Sequence, residues 1–192
     1  MSLSAENRHY LLDLARQSIT AYLEGRALPS VDLASLPDAL TRPGACFVTL
    51  TIDGDLRGCI GSIEPRQPLV LDVQENALGA AFRDPRFPPL SRRELARIHI
   101  EISVLTVPEP LAYSDADDLL RRLRPEVDGV IIERGWRRAT FLPQVWEKLP
   151  GRHDFMAQLC MKAGLPPDDY RRPGLQVLTY QVEMFEEEHP HP

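Results

Sequence analysis

Lysine is almost missing from this chain: of its 22 basic residues only Lys148 and Lys162 are lysines. Schiff-base or lysine-nucleophile chemistry therefore has two candidates, neither in a supporting motif, whereas arginine is abundant enough for planar recognition of carboxylate or phosphate. Cysteine is scarce as well. Cys46, Cys59 and Cys160 form an odd set with no Cys-x-x-Cys spacing, which points to reduced thiols rather than a disulfide frame or structural zinc. Long apolar runs are missing: none approaches the roughly 18 residues that span a bilayer, and the N-terminus has no signal-type stretch. The expectation is a cytoplasmic protein with no membrane partner. GxGxxG, the P-loop lysine motif, HExxH and GxSxG are absent, so dinucleotide, phosphoryl-transfer, zincin and serine-hydrolase readings lack their anchors and no cofactor is expected. The formal charge of −6 argues against nonspecific binding to nucleic acid.

With 192 residues and 43% hydrophobic content, the chain can bury one substantial core, as one large domain or as two small ones sharing a seam. Leu11, Leu14, Ala15, Ile19, Tyr22 and Leu23 recur on one stripe, predicting a helix over residues 4–24 that Gly25 caps. Residues 46–52 and 56–63 read as strands around Asp53-Gly54-Asp55. A two-residue loop at Asp53-Gly54 would set Leu50 against Arg57 and Val48 against Cys59, mixing apolar and polar side chains. A three-residue loop sorts them better. Val48, Leu50 and Ile52 then join Leu56 and Ile60, while Thr49, Thr51, Arg57 and Cys59 share the other face beside the gap left by Gly61.

A second helix is predicted over residues 68–83, stopped by Asp84-Pro85-Arg86-Phe87-Pro88-Pro89. Ser91 and Glu94 have the spacing of a capping box, predicting a short third helix, and residues 98–104 alternate as a half-buried strand. The second half repeats the order. A helix over 115–124 precedes a hairpin of residues 130–133 and 137–142 around Arg134-Gly135-Trp136, a helix over 152–163 capped by Gly164, and a closing strand over 177–185. The fold class is α+β: two related hairpin-helix-strand halves forming one curved, mainly antiparallel sheet with outer helices. It is taken as a single domain over residues 1–192, with two subdomains around a shared cleft left open.

Function is sought first at Leu56-Arg57-Gly58-Cys59-Ile60-Gly61-Ser62. Two glycines weaken a strand and mark close approach by a ligand or another backbone. Beside them Arg57 offers a planar fork for an anion, or else pairs with a carboxylate such as Asp84 or Glu101. Cys59 is a candidate nucleophile or redox-responsive thiol, or else a half-buried strand residue. A base for it would come from elsewhere, His99 or His153. Thr49, Asp84 and Arg86 complete the candidate ligand-binding set of Arg57, Gly58 and Gly61. His99 and Glu101 face one way on their strand, but a third ligand is missing, so no metal site is expected.

The hexapeptide at residues 56–61 resembles the LRGCIG signature of the AMMECR1 family. Phe82-Arg83-Asp84-Pro85-Arg86-Phe87-Pro88-Pro89-Leu90 is similar to its FxDPRFxPL block and Ile100-Glu101-Ile102-Ser103-Val104-Leu105 to its IEISVL strand. Asp128-Gly129-Val130, Leu142-Pro143-Gln144-Val145 and Cys160-Met161-Lys162-Ala163-Gly164-Leu165 continue the likeness in order. Ser62 and His153 depart from it, standing where the family pattern has threonine and an aromatic residue. The resemblance implies an α+β fold with two related halves. Prokaryotic members are often labelled protein A of the AmmeMemoRadiSam system, which implies a Memo-like protein and a radical S-adenosylmethionine protein as partners. It names no reaction. The leading expectation is binding of a small anionic molecule near the hairpin by an accessory or enzymatic component of that pathway. The alternatives are a noncatalytic interaction module and an enzyme that uses Cys59 as nucleophile.

Overall fold

The computed structural model describes residues 3–188. Its contacts divide the chain into two compact units, one running to Leu105 and resuming at Glu183, the other spanning Thr106–Val182. In chain order, the first unit holds α1 (Ala5–Glu24), α2 (Asp38–Thr41), β1 (Pro43–Ile52), β2 (Asp55–Gly61), β3 (Gln67–Pro68), α3 (Leu69–Phe82) and β4 (Ile98–Leu105). The second holds β5 (Glu109–Pro110), α4 (Ala116–Arg122), β6 (Gly129–Arg134), β7 (Arg137–Phe141), α5 (Val145–Lys148), α6 (Arg152–Lys162) and β8 (Gln176–Tyr180). The strand β9 (Val182–Glu186) brings the chain back to the first unit.

The fold is α+β, but its strands form two sheets rather than the expected one. One runs β2-β1-β4-β9 with β3 beside β1; the other runs β7-β6-β8-β5. Both follow one plan. The first strand of each hairpin lies between its hairpin partner and the strand that returns after the helix. The outer neighbour of each returning strand comes from the chain that leaves the other sheet: β5 follows β4, and β9 follows β8. The single strand expected over 177–185 is therefore broken at Gln181. Gln181 donates its backbone N–H to Thr106 Oγ1 at 2.9 Å, and Thr106 N–H donates to the Gln181 carbonyl at 2.9 Å. Apolar alternation reports that a segment is extended, not which sheet it joins.

Ser4 caps α1 by accepting from Asn7 N–H, and Gly25 closes it with φ of 69°. The buried stripe Leu11, Ala15 and Ile19 packs on α3, which in turn covers β1 and β2. Val48, Leu50, Ile100 and Ile102 are fully buried on the sheet face turned to α3. Their neighbours Thr49 and Glu101 therefore point to the other face. The buried Asp72 of α3 ties helix to sheet, accepting from Cys46 N–H at 2.9 Å, Ser62 Oγ at 2.6 Å and Asn76 Nδ2 at 3.0 Å. In the second unit Trp146 stacks on Phe155 with ring centroids 3.6 Å apart, above Leu119, Val130, Ile132 and Leu159.

The short helix expected after Ser91 is not formed. Glu94 does accept from Ser91 N–H at 2.8 Å, but residues 92–97 make successive turns directly into β4. Eight residues between the Pro88-Pro89 pair and β4 leave too few backbone bonds to offset helix nucleation.

Candidate functional site

The β1–β2 turn is tighter than expected. Asp53 and Gly54 take φ of 55° and 86°, and Ile52 pairs with Asp55, which makes a two-residue loop of the kind Asp-Gly favours. The register then shifts by one: Thr51 faces Leu56 and Leu50 faces Gly58, leaving Arg57 as a bulged residue with no cross-strand partner. The bulge restores the sorting that a three-residue loop was expected to provide. Val48 faces Ile60 and Thr49 faces Cys59. Two placements change. Leu56 is exposed instead of joining the apolar face, and Arg57 leaves the row of Thr49 and Cys59.

The side chain of Arg57 is drawn into the segment that follows α3, and the residue is only 8% exposed. Its Nε donates to Glu94 Oε1 at 2.8 Å and its Nη2 to the Pro88 carbonyl at 2.9 Å. The carboxylate it meets is thus Glu94 rather than Asp84 or Glu101. That hydrogen bond, followed by donation from Ser91, lowers the Glu94 carboxyl to about 2 against the cost of burial. Two guanidinium groups approach the ring of Phe87, whose centroid is 5.8 Å from Arg57 Cζ and 5.5 Å from Arg86 Cζ.

Asp84 and Arg86 close the open edge of β2. Cys59 N–H donates to Asp84 Oδ2 at 2.9 Å, the Cys59 carbonyl accepts from Arg86 Nη2 at 3.2 Å, and Arg86 Nη2 bonds Asp84 at 2.6 Å. Hydrogen bonds from Arg86 and from the Cys59 and Arg86 amides hold the buried Asp84 carboxyl well below the usual carboxylate range. A stiff Asp-Pro-Arg loop thus does for an edge strand what a neighbouring strand would do.

The two glycines admit the chain's own atoms. A Cβ on Gly58 would lie 2.1 Å from the Ala80 carbonyl oxygen of α3, and one on Gly61 would lie 2.3 Å from Phe47 Cγ. The gap expected beside Gly61 is filled by the Phe47 ring.

On the face away from α3, Cys59, Thr49 and Glu101 stand in one row across β2, β1 and β4, since Thr49 pairs with Cys59 on one side and with Glu101 on the other. Thr49 Oγ1 donates to Cys59 Sγ at 3.2 Å. Burial, then the charge of Glu186, raises the Glu101 carboxyl above its ordinary value. Glu101 was visible in the sequence only as a partner for Arg57 or His99. Its cross-strand row with Cys59 depends on the register of two ladders, which β4 alternation alone does not disclose. His99 Nε2 faces Glu186 Oε2 at 3.1 Å, and His153 Nδ1 lies 3.0 Å from Tyr170 Oη. Cys46 and Cys160 are buried, and burial pushes their thiols up, Cys160 to about 11. Among the described residues no three His, Cys, Asp or Glu side chains are set to hold a metal ion.

Three of the sequence blocks quoted above therefore converge in the first unit: the hexapeptide as β2, the Asp-Pro-Arg loop on its edge and the Glu101 strand beyond β1. The AMMECR1 family model matches residues 12–185. The chain belongs to the AMMECR1 family. A protein of Methanothermobacter thermautotrophicus is 42% identical over 97% of each chain, and one of Methanocaldococcus jannaschii 36% identical over 98% of this chain and 94% of that one. The fold is similar to the crystal structure of the uncharacterized protein PH0010 from Pyrococcus horikoshii, with a TM-score of 0.82 and 36% identity over 94% of this chain and 91% of that one. In this AMMECR1 protein the second-half blocks hold the other unit together. Asp128 accepts from Arg124 Nη2 at 2.6 Å, Gly129 lies against the Tyr180 ring, and Gly164 ends α6 with φ of 73°. No helix among the described residues is long and apolar enough to cross a membrane.

Proposed function

We propose that this AMMECR1-family protein binds a small anionic molecule on the polar face of its five-stranded sheet, next to Cys59. We place it in the cytoplasm, as an accessory or enzymatic component of a pathway that includes a Memo-like protein and a radical S-adenosylmethionine protein. The observation that carries the binding reading is the row of Cys59, Thr49 and Glu101, with the half-exposed Arg86 guanidinium bonded to the Cys59 carbonyl. The pathway reading rests on the family resemblance.

The residues divide by role. Asp84 takes the Nε and Nη2 of Arg86, so the anion is met by the Nη1 edge of that guanidinium and by the Thr49 hydroxyl turned from Sγ. Asp84 orients Arg86. Arg57 fixes the loop through Glu94 and Pro88, while Gly58 and Gly61 set the path of β2. A calorimetric titration of the purified protein with inorganic phosphate and short dicarboxylates tests this reading. Saturable heat is expected for at least one anion, abolished in an Arg86→Ala variant whose circular dichroism shows it folded. No saturable heat with any of them, or binding that survives the substitution, overturns it.

A second reading, thiol chemistry, draws on the Thr49 hydrogen bond to Sγ. That contact fixes the direction of a half-exposed sulfur. Glu101 stands two strands from Cys59 in the same row, about 10 Å across the sheet, and so does not take the thiol proton directly. The interaction-module reading is supported by Trp136, which is 88% exposed at the β6–β7 turn.

A further inference from the structure

A cavity lies away from Cys59. It encloses about 680 Å³ beside the first half of α1, the start of β4 and the end of β9. That volume suits a small organic ligand. It shares no residue with the Cys59 row.

Its wall can be assigned charge by charge. The two arginines that line it are committed to the fold. Arg16 makes a bidentate pair with Glu187, Nη2 to Oε2 at 2.6 Å, and also donates to the carbonyls of Leu95 and Ile98. Arg8 pairs with Glu183 at 2.8 Å and donates to the Leu3 carbonyl. Three further carboxylates line the cavity: Asp13, Glu186 and Glu188. Against them stand two imidazoles. His9 Nε2 lies 3.3 Å from Asp13 Oδ2, and His99 Nε2 lies 3.1 Å from Glu186 Oε2. Setting the imidazoles aside, the wall holds four carboxylates, Asp13, Glu186, Glu187 and Glu188, against the two arginines, an excess of negative charge.

The remaining surface is apolar. Leu12, Ile98 and Phe185 line the same cavity, and each is buried in the protein core. Carboxylates set around an apolar floor match a cation that carries its own hydrocarbon. A bare metal ion would need its donors converging on one point, which no three described side chains do.

We propose that this cavity binds a protonated organic amine with a short apolar chain. The ammonium group is received by Asp13 and Glu186, and the hydrocarbon lies over Leu12, Ile98 and Phe185. Glu188 adds charge at the rim. The opposite sign of this ligand from the anion proposed beside Cys59 gives one unit two separate sites of different chemistry.

Titration of the full chain with n-pentylamine and with its uncharged isostere 1-pentanol, followed by nuclear magnetic resonance of backbone amides, tests the assignment. Saturable shifts confined to α1 and to residues 96–99 and 185–188 are expected with the amine and not with the alcohol. Glu186→Gln and Asp13→Asn, both partly exposed and outside the core, are each expected to weaken binding about tenfold, as befits loss of a charged hydrogen-bond acceptor. Cys59→Ser is expected to leave amine binding unchanged, which separates this site from the anion site. Equal binding of alcohol and amine, amine shifts indifferent to both carboxylate substitutions, or no saturation below roughly 10 mM, a binding free energy too weak for a built site, would each overturn the proposal.

Discussion

Asp84 accepts the backbone N–H of Cys59 at 2.9 Å while being held in place by Arg86. One carboxylate thereby closes the edge of β2, orients the guanidinium beside the thiol and fixes the strand that carries it. Removing it should be felt in all three ways. Asp84→Asn is expected to lower stability by about 2 kcal/mol, because the half-exposed Arg86 guanidinium and the Cys59 backbone donor both lose their charged, buried acceptor. Urea unfolding at pH 7 measures it, and a change below about 0.5 kcal/mol would mean that the loop does not brace the strand.

Acid sensitivity follows from the same pairs. Asp84 and Glu94 both have folded pKa values below their ordinary ones. The stability they contribute is therefore fully present above their unfolded values, and is lost as pH falls from about 5 through the folded values. For Glu94 that loss extends to about pH 2. Urea midpoints measured from pH 7 to pH 3 should fall steeply in the wild type and less steeply in Glu94→Gln. Parallel slopes in the two proteins would show that the Arg57–Glu94 pair makes no difference to folding.

The glycines separate packing from turn geometry. Gly58→Ala places a methyl group 2.1 Å from the Ala80 carbonyl oxygen, a backbone atom that cannot swing away. It is expected to cost at least about 3 kcal/mol or to prevent folding. Gly54→Ala meets no atom within 4 Å and is strained only by its φ of 86°. Its expected cost is about 1 to 2 kcal/mol. Thermal or urea denaturation of the two variants should rank them in that order.

Much of this was legible in the sequence, and the reasons for the exceptions are local. The helix of residues 5–24 could be read from a stripe and a capping glycine, because both signals are short-range. The β1–β2 turn was misjudged because a two-residue Asp-Gly loop followed by a bulge at Arg57 yields the same sorting of Val48, Leu50 and Ile60 as a three-residue loop. Alternation does not distinguish them. Arg57, Asp84 and Arg86 stood out as charged residues beside glycine and proline, but their partners come from 2 to 37 positions away and only the fold brings them together. Glu101 was named as a partner for Arg57, which meets Glu94 instead, for the same reason. The division into two sheets, with β5 and β9 each joining the sheet the chain has just entered, leaves no mark in composition or periodicity.

Thiol reactivity should follow burial. Cys59 is the half-exposed cysteine, whereas Cys46 and Cys160 are fully buried with thiols raised by desolvation. Peptide mapping after brief treatment with iodoacetamide at pH 8 should find the label on Cys59 in native protein and on all three thiols after unfolding. Thr49→Val removes the hydroxyl that donates to Sγ and is expected to slow labelling of Cys59 by about fivefold, the worth of one hydrogen bond. An unchanged rate would mean that the hydroxyl plays no part in the reactivity of the sulfur.

The central claim is that an anion binds over the Cys59 row, and the most direct measurement is the rate of Cys59 alkylation across a titration of whichever anion gives calorimetric binding. Labelling is expected to slow saturably, with a midpoint equal to the calorimetric dissociation constant, and the protection to vanish in folded Arg86→Ala. An anion that saturates the protein while Cys59 is labelled at its original rate would contradict it.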